Sequence, residues 1–260
     1  MYVTSRDGTS IAFDRCGDGP PVILVDGALA YRENWGGRPL ATELEKDFSV
    51  YVYDRRGRGE STDTQPYAVE REIEDIAALI EEAGGPVHLY GASSGAVLAL
   101  KAAARLGPAR VAKLALYEAP FSPVEEDRQL FDEYVERVTE LLRAGKRGDA
   151  VAYFLGDAVP PEMLEAMRQS PEWPLMEAVA PTLAYENELL GDSLVPVDEA
   201  RAATMPALVL HGSESPAYMR EVAEALARTL PRAQLTSLQG QTHAVDPEAI
   251  APVLRGFFRA

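Results

Sequence analysis

The sequence holds one cysteine, Cys16, and three histidines, His88, His211 and His243, in 260 residues. A lone cysteine excludes an internal disulfide and a thiolate metal cluster. No two histidines share a helical turn, so a histidine zinc site is not expected either. Positive charge is also scarce. Lys and Arg number 25 against 41 Asp and Glu, a net charge of −16. Such a surface repels phosphate backbones and anionic lipid, which disfavours nucleic-acid and membrane-surface partners. No apolar run reaches the ~18 residues of a membrane span. No basic segment followed by an apolar core opens the chain, so no export signal is read and a cytoplasmic location is expected. What remains is a small-molecule substrate as partner, for a monomer or homodimer.

The hydrophobic content of 47% is enough for a full core, and the length suits one α/β domain with or without an insertion. YVTSR and SIAFDR flank Asp7-Gly8 and predict a hairpin over 2–15. The runs PVILVDG (21–27), FSVYVYD (48–54), KLALYEAP (113–120) and MPALVLHG (205–212) are continuously apolar, as in strands covered on both faces. Helices are predicted at 39–46, 69–85, 216–230 and 246–259, with Gly84-Gly85 as a C-cap signal. Arg55-Arg56-Gly57-Arg58-Gly59-Glu60-Ser61 reads as a polar, glycine-bearing loop. The alternation stops over 122–203. Ser122-Pro123 reads as a helix opening, Leu130, Tyr134, Val138, Leu141 and Leu142 form one helical face, and further helices are predicted near 161–169 and 174–190. The chain therefore divides into a core of 1–121 with 204–260 and a helical insertion of 122–203. Ligands of mainly parallel sheets bind at the carboxyl ends of the strands, and every motif below falls there.

The segment VHLYGASSG (87–95) is strand, tight turn and helix, with Ser93 at the apex of Gly91-Ala92-Ser93-Ser94-Gly95. The glycines leave room that a Cβ would fill, and the helix N-terminus offers free N–H groups to a developing oxyanion. Ser93 is the candidate nucleophile. A serine needs a base, and the base needs an orienting acid. His243, in the polar loop GQTHAV after the last strand, is favoured over His88, inside the elbow strand, and His211, which ends a buried strand. Two acids compete. Glu118 ends the strand KLALYE, and Glu214 lies in the loop HGSESP, where Ser215 occupies the place an acid would be expected. The N–H groups of Ala28 and Ser94 are the candidate oxyanion donors, and Gly27 permits close backbone approach. Asp26 is either a supporting hydrogen-bonding residue or a loop cap. Tyr31 and Trp35 are candidate substrate-binding residues at the site's entrance. Phe154 is a third, from the insertion.

The motifs VILVDGA, YDRRGRGES, LYGASSG, LHGSES and QTHAV, in this order, resemble the α/β-hydrolase fold from end to end. The resemblance implies an eight-stranded, mostly parallel twisted sheet with helices on both faces, a helical cap at 122–203, and no cofactor. It departs in two places: Asp26-Gly27 replaces the family's usual His-Gly pair, and Ser215 replaces the usual late acid. Leu116-Tyr117-Glu118 resembles members that carry the acid one strand earlier. Some of those are haloalkane dehalogenases with an elbow aspartate, and Ser93 argues against their reaction. The expected activity is serine hydrolysis of an ester, lactone or thioester of a medium-sized, largely apolar substrate. The alternatives are a lyase, C–C hydrolase or acyl transferase on the same scaffold, or a non-catalytic binding protein.

Overall fold

The computed structural model describes residues 1–156 and 159–260. Eight strands, β1 (Tyr2–Thr4), β2 (Ser10–Cys16), β3 (Pro21–Val25), β4 (Ser49–Tyr53), β5 (Val87–Ala92), β6 (Val111–Tyr117), β7 (Ala207–Gly212) and β8 (Ala233–Leu238), form one sheet in the order β1-β2-β4-β3-β5-β6-β7-β8. The β1–β2 and β2–β4 pairs are antiparallel and all others parallel.

The continuous apolar runs have a direct explanation. Ile23, Val25, Leu114, Leu116 and Val209 bury into one layer. Their neighbours Val22, Leu24, Ala115, Tyr117, Leu208 and Leu210 bury into the other. A strand with both faces covered has no polar side to alternate with. The first layer is closed by α2 (Val69–Ala83), α3 (Ser94–Leu106) and α10 (Ala217–Thr229), the second by α1 (Arg38–Leu44) and α11 (Pro247–Arg259). The predicted C-cap is present: Gly84 is left-handed at φ +78° after α2.

Between β6 and β7 lie α4 (Arg128–Arg143), α5 (Arg147–Leu155), α6 (Pro161–Arg168), α7 (Trp173–Val179), α8 (Leu183–Leu190) and α9 (Val197–Ala202). All but α9, whose Ala200 packs into the first layer, meet in a third cluster, with Val138, Leu141, Val151, Met176 and Leu183 around Leu29 and Tyr31 from the loop after β3. Three details differ from the sequence reading. Ser122-Pro123 does not open α4: a 3₁₀ turn at Glu125–Asp127 intervenes, and the Ser122 hydroxyl is held by Val124 and Asp127. Leu130 points to solvent, because the buried face of α4 is centred on Val138 and Leu141, beyond its first turn. The helix predicted over 174–190 is two, broken by a 3₁₀ turn at Ala180–Thr182 where Pro181 has no N–H to continue the ladder.

Candidate active site

Ser93 sits between β5 and α3 at φ +54°, ψ −131°, a backbone conformation costly for a residue with a side chain. The turn is cramped on both sides. A Cβ on Gly91 would overlap the carbonyl of Gly95, and one on Gly95 would overlap that of Val25 and lie 2.7 Å from that of Asp26. The loop after β3 closes over the serine: a Cβ on Gly27 would stand 3.0 Å from Ser93 Cβ and 3.6 Å from its Oγ.

The end of β6 organises the rest. Ser93 donates its N–H to the Tyr117 carbonyl at 2.9 Å, and Glu118 donates its own to Leu210 at 3.1 Å. Glu118 too is left-handed, at φ +46°. That turn carries its carboxylate under β7, where Oε1 accepts the Gly212 N–H at 2.7 Å and Oε2 meets His243 Nδ1 at 2.7 Å. The Tyr117 hydroxyl donates to the Thr242 carbonyl and steadies the histidine loop. One dipeptide thus touches the elbow, the end of β7 and the loop bearing His243. The Glu118 side chain is wholly buried, whereas that of His243 is 46% exposed. Burial resists the charge on Glu118. The hydrogen bond of His243, the nearby Ser215 hydroxyl and the Gly212 N–H together outweigh it, although the Ser215 hydroxyl makes no hydrogen bond within normal geometry. The carboxyl is held below its ordinary range. Among the described residues the Glu118 bond is the one hydrogen bond of the His243 ring, so Nε2 is uncommitted and its contact with Ser93 Oγ is not closed. Such contacts often tighten only when substrate is bound.

Glu214 is not brought to the histidine: its carboxylate lies beside Ser213 on the surface. His88 is stacked on Phe258 with ring centroids 4.8 Å apart, and His211 holds the carbonyl of Gly212. Tyr31 is buried in the cluster of the inserted helices, Phe154 packs against that same cluster, and Trp35 is 53% exposed. Among the described residues no group of three His, Cys, Asp or Glu could hold a metal, and no helix is long and apolar enough to cross a membrane.

Residues 22–253 match the model of the alpha/beta hydrolase family. The chain belongs to that family. This α/β-hydrolase is similar to an alpha/beta hydrolase from Sphaerobacter thermophilus, at 48% identity over 99% of this chain and 100% of that one, with a TM-score of 0.87. It is also similar to a thermophilic esterase from Thermogutta terrifontis, at 28% identity over 100% and 97% of the two chains, with a TM-score of 0.75. A non-heme haloperoxidase from Rhodococcus erythropolis is 25% identical over 256 residues, 94% of this chain and 93% of that one.

The α/β-hydrolase also holds a charged centre that its sequence conceals. Arg55, Arg56 and Arg58, read as a polar loop, are at most 1% exposed. Arg55 makes a two-pronged pair with Glu72 at 2.7 Å on each arm and reaches Glu186 at 3.0 Å. Arg56 pairs likewise with Asp75 and also with Asp7 at 2.9 Å. Arg58 pairs with the same Glu186. Two cavities of about 570 and 550 Å³ open elsewhere, beside Lys146 and Arg168 and beside Lys101 and Glu199, and neither is lined by Ser93 or His243.

Asp26 stands where the loop meets these arginines. Burial raises its carboxyl to about 7, against the pull of the Gly37 N–H at 3.0 Å and of Arg58 and Arg55. A carboxyl raised in the fold favours the native state while it is protonated. Its contribution is therefore lost as pH climbs from the ordinary carboxyl range to about 7. Asp26→Asn is expected to flatten that part of the dependence of Tm on pH in scanning calorimetry. An unchanged slope would contradict the assignment.

Proposed function

We propose that this α/β-hydrolase is a cofactor-independent carboxylic ester hydrolase that works through Ser93, His243 and Glu118. The observation that carries the reading is the 2.7 Å contact between His243 Nδ1 and the buried Glu118 carboxylate. It fixes the tautomer with hydrogen on Nδ1 and leaves Nε2 basic.

In the reaction, Ser93 Oγ attacks the ester carbonyl while Nε2 of His243 takes its proton. The carbonyl π pair moves to oxygen, and that oxyanion is received by the N–H groups of Ala28 and Ser94. Collapse expels the alcohol, which takes the proton from His243, and leaves an acyl-serine. Water then attacks through the same steps and releases the acid. Glu118 stabilises the imidazolium in both halves and stays ionised. Each oxyanion donor of this kind is worth roughly 3 kcal/mol in the transition state. Residues 122–203 serve as a cap over the strand ends, and the preferred substrate is a medium-sized, largely apolar ester. The likeness to the Thermogutta terrifontis esterase supports an ester as substrate class.

A fluorophosphonate probe is expected to add once, at Ser93, and Ser93→Ala to abolish both labelling and ester turnover. Labelling at another residue, or turnover surviving in a folded Ser93→Ala protein, would overturn the reading. A series of p-nitrophenyl esters of increasing acyl length should show its best kcat/KM at an intermediate length.

A further inference from the structure

We propose that Arg58 is a positioning residue for the oxyanion hole, held in place by Glu186 of the inserted helices, so that those helices and the hole share one guanidinium. The proposal rests on the serine mechanism above and extends it to residues outside the Ser-His-Glu set.

The geometry is specific. Arg58 Nη1 donates to the carbonyl of Gly27 at 2.6 Å and to that of Ala30 at 3.2 Å. The Gly27 carbonyl belongs to the same peptide unit as the Ala28 N–H. That peptide is trans, the cis bond among the described residues being Gln65-Pro66. In a trans peptide C=O and N–H point to opposite sides. A guanidinium fixed on the oxygen side therefore aims the N–H the other way. Gly27 meanwhile packs against Ser93. A charged donor on a carbonyl also polarises its amide and strengthens the N–H as a donor. Arg55 adds a long contact, 3.4 Å, to the Asp26 carbonyl one residue earlier. Leu29, two residues after Gly27, is left-handed at φ +61°, so the loop adopts a shape its own backbone does not favour. The arginine contacts on either side hold it there.

Glu186 connects this loop to α8. It accepts from Arg58 and from Arg55, and is itself almost completely buried. The second carboxylate of the group, Glu72, takes both arms of Arg55. Two arginines face two glutamates, so the group is electrically balanced without Asp26. Arg58 cannot move without opening its contact to the helix, and α8 cannot shift without releasing the loop.

The test must separate aim from mere stability. Arg58→Met with Glu186→Gln removes one positive and one negative charge together and leaves Arg55 paired with Glu72. Arg58→Lys keeps the charge but not the fork. We expect both variants, once shown to be folded by near-ultraviolet circular dichroism, to keep KM for a p-nitrophenyl ester within about threefold. Their kcat is expected to fall by about 10- to 100-fold, less than the loss for a deleted donor. A trifluoromethyl ketone, to which Ser93 adds to form a hemiketal oxyanion, reports on the hole directly. Its Ki should rise in step with the loss in kcat/KM. In the unaltered protein its binding should move the Ala28 amide proton downfield. A folded variant with unchanged kcat and Ki, a rise in KM alone, or an unmoved Ala28 amide would overturn the proposal. The serine mechanism fails on different evidence, namely absence of fluorophosphonate labelling at Ser93 in the unaltered protein.

Discussion

Replacing Glu118 by glutamine is expected to lower kcat about 10⁴-fold with the fold intact, as when a triad acid loses its charge but keeps its shape. The two partners of this carboxylate explain so large an effect. The Gly212 N–H and the His243 Nδ1–H are both donors, and a carboxylate accepts from both. An amide of the same size has one accepting oxygen and one donating nitrogen. The Gly212 N–H belongs to β7 and cannot move away, so it claims the oxygen. The amide N–H then faces Nδ1 and forces that nitrogen to accept. The imidazole proton moves to Nε2, where it can no longer take the proton of Ser93. Steady-state kinetics on a p-nitrophenyl ester would measure the loss, and a drop of less than tenfold would remove Glu118 from the mechanism. The Ser215 hydroxyl borders the same carboxyl, so adding Ser215→Asp to the glutamine variant should return part of the activity by restoring an acceptor. The substitution also has an acid-side signature. The Glu118 carboxyl lies below its ordinary range, so its stabilising effect is present above that range and lost as pH falls through the folded value. Glu118→Gln should lose this part of the acid sensitivity of Tm.

Much of this site is legible along the chain because its parts are local. Strands buried on both faces announce themselves as unbroken apolar runs. The elbow needs two glycines at fixed spacing, for contacts that the fold then supplies at Gly91 and Gly95. Glu118 could be singled out because a charged residue ending an apolar strand calls for a partner. The choice between Glu118 and Glu214 could not be settled locally. It depends on a left-handed turn at Glu118 that nothing in Leu116-Tyr117-Glu118 encodes, and on which way each acid faces after β6 and β7 have paired. The same holds for Tyr31 and Phe154. Their aromatic character suits a substrate wall and a packed core equally, and nothing local separates a buried Tyr31 from a half-buried Phe154 beside the same helices. The three arginines are the clearest case of information that is not local. Within Arg55-Arg56-Gly57-Arg58-Gly59 every cue points to a solvated loop. The acids that bury them arrive from Asp7, from Glu72 and Asp75 on α2, and from Glu186 on α8. In a chain with 41 acidic residues, none of those four stands out beforehand.

That buried group leads to the second large effect. Glu72→Ala is expected to cost about 3–5 kcal/mol of stability, the range for breaking a buried ion pair by removing one partner. The charge count gives the reason. With Glu72 gone, Arg55 and Arg58 share the single carboxylate of Glu186 in a region where neither is more than 1% exposed. One buried positive charge is left without its paired carboxylate. Tyr67, whose hydroxyl donates to Glu72 at 2.8 Å, keeps only the long contact to the Tyr185 carbonyl at 3.5 Å. For a domain of this size the loss corresponds to a fall in Tm of roughly 6–20 °C. Removing the whole pair, by Arg55→Met with Glu72→Met, should cost less than removing Glu72 alone, because Arg58 and Glu186 remain balanced. Exposed pairs such as Arg137 with Glu140 provide the contrast: both side chains are more than half exposed, and deleting one should change Tm hardly at all. Salt separates the two classes further, since screening reaches the surface pair and not the buried group. Calorimetry of these variants at low and high salt would decide the matter. A Glu72→Ala protein melting within a few degrees of the parent, or a double variant less stable than the single one, would mean that packing rather than charge balance holds this centre together.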